Sequence, residues 1–375
     1  MFFKDVIGQE KIKQRLIRSV QQERVSHALM FGGPEGTGKL AMALAFAQYV
    51  ACRNRKDYDS CGECPSCRKY LKLAHPDLHF AFPVFPTKSF KTPSSDDFLP
   101  KWREMVLESP YFTLSQWLGF VENENAQGLI YERESDAITK KLNLKAFESE
   151  FKVMLIWLPE KMHPACSNKL LKLIEEPPNK TLFLLVTEDE EGVISTIRSR
   201  AQLISLPFID NSSMQSALEA VAEDKSPETI NDVVRLAGGN FIRAIEYLNP
   251  DEGSSLYFIK FQELMRMAFM RQVFDLSKWA DEMAGLGRDG QKAFFAFALR
   301  LIREYFISNM KNPALNYMTE EEKAWGAKFA PYINERNVIA FAKEFEQGIK
   351  HISMNGNPRI IFLDTALRVT KLIKK

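Results

Sequence analysis

Apolar positions follow two rhythms along this chain. Three short runs are continuously apolar: HALMF at 27–31, KVMLIWL at 152–158 and TLFLLVT at 181–187. A run without alternation is what a strand buried on both faces requires. Longer segments of good helix formers lie between them. LAMALAFAQYVA follows the first run, and CSNKLLKLIEEPP separates the second from the third and stops sharply at Pro177 and Pro178. A basic turn, STIRSRAQ, then leads into LISLPF. Strand, helix, strand, helix predicts a doubly wound α/β domain.

Other parts of the chain have a different texture. Residues 84–135 read as irregular: FPTKSFKTPSSDDFLPKW is rich in Pro and Ser, while WREMVLESPYFTLSQWLGF carries aromatic and aliphatic residues at near-helical spacing, as helix packing would. From about Ser212 the pattern becomes short helices with polar loops, including VVRLAGGNFIRAIEYL, a helix, a glycine break and another helix. From about Asp251 onward it is all-helical, with apolar residues at helical spacing in FIKFQELMRMAFMRQ, KAFFAFALRLIREYFISNM, NVIAFAKEFEQGIKHI and RIIFLDTALRVTKLI. The expected domains are therefore an α/β domain at 1–207, a small helical domain at 208–250 and a helical domain at 251–375. Wide apolar faces in the last need partners, either within a bundle or between subunits.

Bulk properties narrow the class. The chain has 375 residues, 45% hydrophobic and 26% charged, which fits a multidomain globular protein. Lys4, Asp5, Glu10 and Lys11 interrupt any apolar run at the start, so no signal peptide is expected. No apolar stretch is long enough to span a bilayer, and the expected compartment is the cytoplasm. Fifty basic residues against 48 acidic ones leave a net charge of +2. Overall charge thus gives no reason to bind nucleic acid alone, and any DNA contact would be local or shared with partners.

Between the first run and its helix lies GGPEGTGKLA. Gly33, Gly38 and Lys39 satisfy the phosphate-loop pattern G-x-x-x-x-G-K-[ST], with Gly36 between them, and the loop sits in the strand-to-helix context that pattern requires. Its last position should carry a hydroxyl for magnesium and carries Leu40 instead. The 152–158 run should end in an acid that holds the same ion, and Trp157 stands there unless the run is simply another core strand. Magnesium takes oxygen ligands, so the magnesium site is lost and productive ATP binding is not expected. Lys39 can still hold a phosphate at the helix N-terminus.

Four of the five cysteines crowd into CRNRKDYDSCGECPSC: Cys52, Cys61, Cys64 and Cys67, at spacing C-x8-C-x2-C-x2-C. Four thiolates so close suit a tetrahedral structural zinc, with no open position for catalysis. A redox pair or incidental cysteines are the alternatives. Cys166 stands apart, and His75 and His79 are not needed.

Together these pieces resemble the AAA+ clamp-loader family of bacterial DNA polymerase III, and most closely its delta-prime branch. The likeness is carried by FKDVIGQE, SHALMFGGPEGTGK, the four-cysteine knuckle followed by HPD, SNKLLKLIEEPP, TIRSRAQ, GGNFIRAI and NGNPRIIFLDTAL, spread along nearly the whole chain. In TIRSRAQ, Ser199 and Arg200 match the family's Ser-Arg-Cys box and Ala201 replaces its Cys. The resemblance implies a P-loop NTPase-like fold with a zinc knuckle, a helical lid and a helical collar that joins subunits. It implies a chain that is not catalytic alone but belongs to the polymerase holoenzyme and helps load the sliding clamp onto DNA. The implied partners are the gamma/tau motor subunits and delta, with primer-template DNA and the sliding clamp reached through the complex. Arg200 would serve as an arginine finger for the ATP of a neighbouring motor subunit, although the sequence does not choose between Arg198 and Arg200. Two other readings stand beside this one: an ATP-hydrolysing gamma/tau-type motor, which the loss at Leu40 and Trp157 opposes, and a zinc-binding interaction protein outside replication.

Overall fold

The computed structural model describes residues 1–88, 90–121, 126–178, 180–248, 252–310 and 318–373. The chain divides into two compact units, Met1–Leu248 and Asn249–Lys375. The domain boundary expected at Asp251 lies outside the described residues.

The first unit is organised by a five-stranded parallel sheet in the order β2-β3-β4-β1-β5. Its strands are β1 (Ala28–Gly32), β2 (Leu78–Ala81), β3 (Lys152–Trp157), β4 (Thr181–Val186) and β5 (Gln202–Ser205). Every residue of β1, β3 and β4 is buried, as their unbroken apolar runs require. Alternation along each strand then divides the core in two. Leu29, Phe31, Val153, Leu155, Trp157, Leu184 and Val186 share one hydrophobic cluster with α2 (Lys39–Ala51), a helix buried along its whole length. Met30, Met154, Ile156, Phe183 and Leu185 face the other way, against α6 (Glu132–Asn143) and α7 (Pro164–Glu175). Cys166 is buried in that second cluster.

The chain between β2 and β3 is more regular than its Pro- and Ser-rich sequence suggests. It forms α4 (Leu99–Glu108) and α5 (Leu114–Phe120) before α6. Pro100 sits in the first turn of α4, where a missing N–H costs nothing, and Thr113 caps α5 by accepting from the Gln116 N–H. Together these helices deliver an aromatic block to the sheet. Trp102 is fully buried, stacked on Phe82 at 4.2 Å between ring centroids and 5.2 Å from Trp157. Phe112 meets Trp157 edge-on at 5.1 Å.

After β5 come α9 (Asn211–Val221), α10 (Pro227–Ala237) and α11 (Phe241–Leu248), packed into their own small cluster around Met214, Leu218 and Val234. STIRSRAQ, read from sequence as a turn, contains a single helical turn, α8 (Ser195–Arg198).

The second unit consists of α12 (Glu252–Met270), α13 (Val273–Ala284), α14 (Arg288–Asn309), α15 (Glu320–Phe329), α16 (Val338–Ser353) and α17 (Pro358–Leu372) among the described residues. Helix α14 packs on α16 and α13 on α17. Phe295 and Phe362 stack in the core at 4.6 Å. Phe274, Ile339 and Ile360 stay exposed, at 74%, 76% and 65%, so part of the apolar surface of these helices is not used within the unit.

Trp102 joins the inserted helices to the sheet. Its replacement in Trp102→Ala is expected to cost about 3–5 kcal/mol, the range for emptying a large aromatic site. Urea unfolding followed by near-ultraviolet circular dichroism checks this; a cost below about 1 kcal/mol would show that the site collapses freely.

Candidate functional site

Strand register fixes the geometry of the sheet's carboxyl edge. Phe31 pairs with Val186, and Val186 pairs with Trp157. The ends of β1, β4 and β3 therefore lie on one rung, with the glycine loop leaving β1 and Trp157 closing β3. Ligands of open α/β sheets bind just beyond such an edge.

Gly36 and Gly38 both have left-handed backbones, with φ of 73° and 84°, a region that costs a side-chain-bearing residue. Close approach constrains them further. A Cβ on Gly36 would overlap Asn240 Oδ1, and one on Gly38 would lie 2.8 Å from Tyr111 Oη. The loop is thus covered by its own chain. The Phe241 N–H at the start of α11 donates to the Gly36 carbonyl at 3.1 Å. Tyr111 packs edge-on against Phe241 at 5.0 Å and accepts a hydrogen bond from the Ile7 N–H at 3.0 Å.

What is left of the cleft is about 20 Å³, lined in part by Lys39, Leu40, Tyr111, Phe112, Trp157 and Ile242. That is close to the room one water needs, and far below a triphosphate. Leu40 and Trp157 are only 4% and 3% exposed. Lys39 is buried, and its ammonium donates to the Pro34 carbonyl of its own loop at 2.5 Å. Burial lowers its pKa from the usual lysine value, while Glu188, Glu35 and Glu160 work in the opposite direction. Glu160, the acid nearest the end of β3, is already engaged. It accepts from Thr187 Oγ1 at 2.8 Å and from the Glu188 N–H at 3.1 Å. Burial raises its pKa above the usual carboxylate value.

Sequence reasoning singled out Gly33, Gly36, Gly38, Lys39, Leu40 and Trp157, and the fold brings them to this edge. It missed Tyr111 and Phe112, which come from the loop between α4 and α5, and Ile242, which comes from α11. Contacts spanning some seventy to two hundred residues leave no spacing pattern to read. The one available signal was the aromatic density of WREMVLESPYFTLSQWLGF.

Cys52, Cys61, Cys64 and Cys67 converge at a second place, every sulfur within 4.8 Å of the others. Cys52 caps the end of α2, and Cys64 caps α3 (Pro65–Tyr70), accepting from the Cys67 N–H at 3.4 Å. The N–H of Cys61 points at Cys52 Sγ and that of Cys64 at Cys61 Sγ, at 3.3 and 3.4 Å. Such donors stabilise thiolates. The cluster can hold a metal ion, and Cys166 is not part of it.

Arg200 and Ser199 lie apart from the cleft lining, on the exposed turn after α8. Arg200 pairs with Glu175 at the end of α7 and donates to the Thr196 carbonyl at 2.9 Å and to Ser199 Oγ at 3.3 Å. Arg198 reaches the Glu190 carbonyl at 3.3 Å.

Gly36→Ala is expected to destabilise the protein by more than about 1 kcal/mol, since left-handed backbone alone costs an alanine that much. Adding Asn240→Ala should recover part of that stability, because the obstructing side chain is shortened. Simple additivity in thermal unfolding of the two single variants and the double variant would contradict the contact.

Residues 8–210 match the family described as "DNA polymerase III, delta subunit". The chain is 25% identical over 245 residues to the Bacillus subtilis DNA polymerase III subunit delta', covering 65% of this chain and 60% of that one. It is 29% identical over 190 residues to the Escherichia coli subunit delta', covering 51% and 45%. It is also 25% identical over 247 residues to the Mycobacterium bovis gamma/tau subunit, covering 64% of this chain and 35% of the relative. The match therefore spans at most 60% of these relatives' own length. No described helix is long and apolar enough to cross a membrane. With the family match taking in more than half of its residues, the chain belongs to the DNA polymerase III delta subunit family.

Proposed function

We propose that this chain is the delta-prime-type, non-hydrolysing subunit of a bacterial DNA polymerase III clamp loader. One observation carries the reading: the cleft that would hold ATP is filled by the chain's own Tyr111, Phe112, Trp157 and Leu40, leaving about 20 Å³. A gamma/tau-type motor, to which the sequence is similar at the same level of identity, needs that cleft open. It also needs oxygen ligands for magnesium, and Leu40 and Trp157 offer none. In this proposal the chain assembles with gamma/tau motors and with delta through the exposed apolar faces of its helical second unit, and meets primer-template DNA and the sliding clamp through the complex, in the cytoplasm. The α/β region, the helices after β5 and the second unit act as AAA+ domain, lid and collar.

Arg200 is the proposed contribution to catalysis in a neighbour, with Ser199 beside it. A guanidinium is permanently charged and presents a planar fork that matches phosphate oxygens. In the isolated chain one nitrogen of that fork pairs with Glu175 and the other donates to the Thr196 carbonyl and Ser199 Oγ. Docking against a bound triphosphate would exchange one anion for another. Arginine fingers are worth roughly 10³–10⁵ in rate at their own site.

Zinc is the proposed metal of the cysteine cluster. Tetrahedral zinc with Zn–S near 2.3 Å sets sulfurs about 3.8 Å apart. Cys52 and Cys61 Sγ lie 3.6 Å apart, and Cys61 and Cys67 Sγ lie 3.9 Å apart. The donor set is soft and complete, so zinc would fix the end of α2 to the start of α3 and leave no position for a substrate.

Metal analysis of the purified chain is expected to give one zinc per molecule, and Cys64→Ser to lose most of it. Full occupancy in that variant would remove Cys64 from the site. For the finger, Arg200→Ala in a complex rebuilt with motor subunits is expected to assemble normally. DNA-stimulated ATP hydrolysis should fall by roughly the share of one motor site, with Arg198→Ala near wild type. Unchanged hydrolysis and clamp loading in the Arg200→Ala complex would reduce Arg200 to a surface partner of Glu175.

A further inference from the structure

A basic groove runs along the outer face of α1 (Glu10–Gln21) and shares no lining residue with the cleft or the cysteine cluster. The helix is held by Leu16, Ile17 and Val20, which are buried in the main core. Its opposite face is therefore fixed in orientation. That face exposes Lys11, Arg15 and Arg18 at helical spacing, and Arg24 follows just beyond the helix end. These four cations wall a groove of about 460 Å³, lined otherwise only by Gln14, Ser19 and Gln22. None of the four makes an ion pair or a side-chain hydrogen bond among the described residues. The acid on the same helix, Glu10, is taken by Lys13 on a different face. In a chain with a net charge of only +2, four uncompensated cations in one groove form a marked local excess.

We propose that this groove binds the phosphate backbone of duplex DNA, without regard to base sequence. Three features of the lining point to that ligand. Guanidinium groups supply three of the four charges, and their fork matches phosphate oxygens. The remaining lining is amide and hydroxyl, the neutral donors that commonly reach phosphate and sugar. Neither an aromatic nor an aliphatic side chain lines the groove, so it lacks the stacking platform that single strands use and the apolar pocket that anchors a protein partner. From Lys11 to Arg18 the helix advances about 10 Å, roughly the axial rise of three phosphates on one strand. The groove carries the choice of a phosphate ligand and family membership the choice of DNA, and neither depends on the filled cleft or on Arg200. Of the nucleic acids, DNA is the one that membership of a DNA polymerase family places beside the chain.

The test is fluorescence anisotropy of a labelled DNA duplex titrated with the full chain over a range of salt. Wild type is expected to bind at low salt, with affinity falling as salt rises. Arg15→Ala combined with Arg18→Ala should weaken binding about tenfold or more and reduce the salt slope by about 2, near 0.9 for each phosphate that is no longer neutralised. A control pair, Lys343→Ala with Lys350→Ala, removes the same charge from the second unit and should bind as wild type does. All four positions are exposed, and circular dichroism should show both variants folded. Absence of duplex binding at low salt overturns the proposal, and so does an unchanged affinity and slope in the Arg15 and Arg18 variant. Equal weakening in the control assigns the binding to net charge rather than to the groove. Tighter binding of single strands than of duplex overturns the ligand assignment, as does polyglutamate held in place of duplex and released by the Arg15 and Arg18 variant.

Discussion

Trp157 stacks into the aromatic block of Trp102 and Phe112 at the carboxyl end of β3, and the surrounding architecture depends on that packing. An apolar indole on this rung removes the oxygen that a metal would need and offers a surface on which the inserted helices can settle. Once they settle, Pro110, Tyr111 and Phe112 are carried over the glycine loop. Tyr111 then meets Gly38 while α11 meets Gly36. One side chain thus both offers no ligand oxygen and adds core packing. The aromatic block is dense enough that emptying any one ring would be felt by the others.

This packing also accounts for why the loop keeps its glycines and its lysine. Gly36 and Gly38 serve a left-handed backbone and close approach by Asn240 and Tyr111, needs that exist whether or not a phosphate is present. Lys39 donates to the Pro34 carbonyl and sits among Glu188, Glu35 and Glu160. Gly36, Gly38 and Lys39 each have a structural partner in this chain. The cysteine cluster follows a similar logic at a second place, where N–H groups of Cys61, Cys64 and Cys67 aim at neighbouring sulfurs.

How much could be read in the sequence depended on the range of the interaction. β1, β3 and β4 were legible because burial on both faces leaves an unbroken apolar run, and α7 because Pro177 and Pro178 follow it. The cysteines were legible because ligand spacing is local. The phosphate-loop residues were legible for the same reason, down to the misfit at Leu40. Tyr111 was not, because nothing near it in the sequence signals that it will reach Gly38 and the Ile7 N–H. α4 and α5 were legible in the near-helical spacing of WREMVLESPYFTLSQWLGF, while the Pro- and Ser-rich stretch before it hid the first turn of α4, which begins at Leu99. The partner of Arg200, Glu175, lies 25 residues away across a strand and two turns. Pairing of that kind follows from the sheet order rather than from any local pattern.

The central claim is that the nucleotide cleft is closed from within. Isothermal titration of the full chain with magnesium and ATP tests it most directly. The account predicts no saturable binding heat across the micromolar to millimolar range. Stoichiometric binding that disappears in Lys39→Ala would mean that Tyr111 and α11 leave the loop freely, and it would contradict the account.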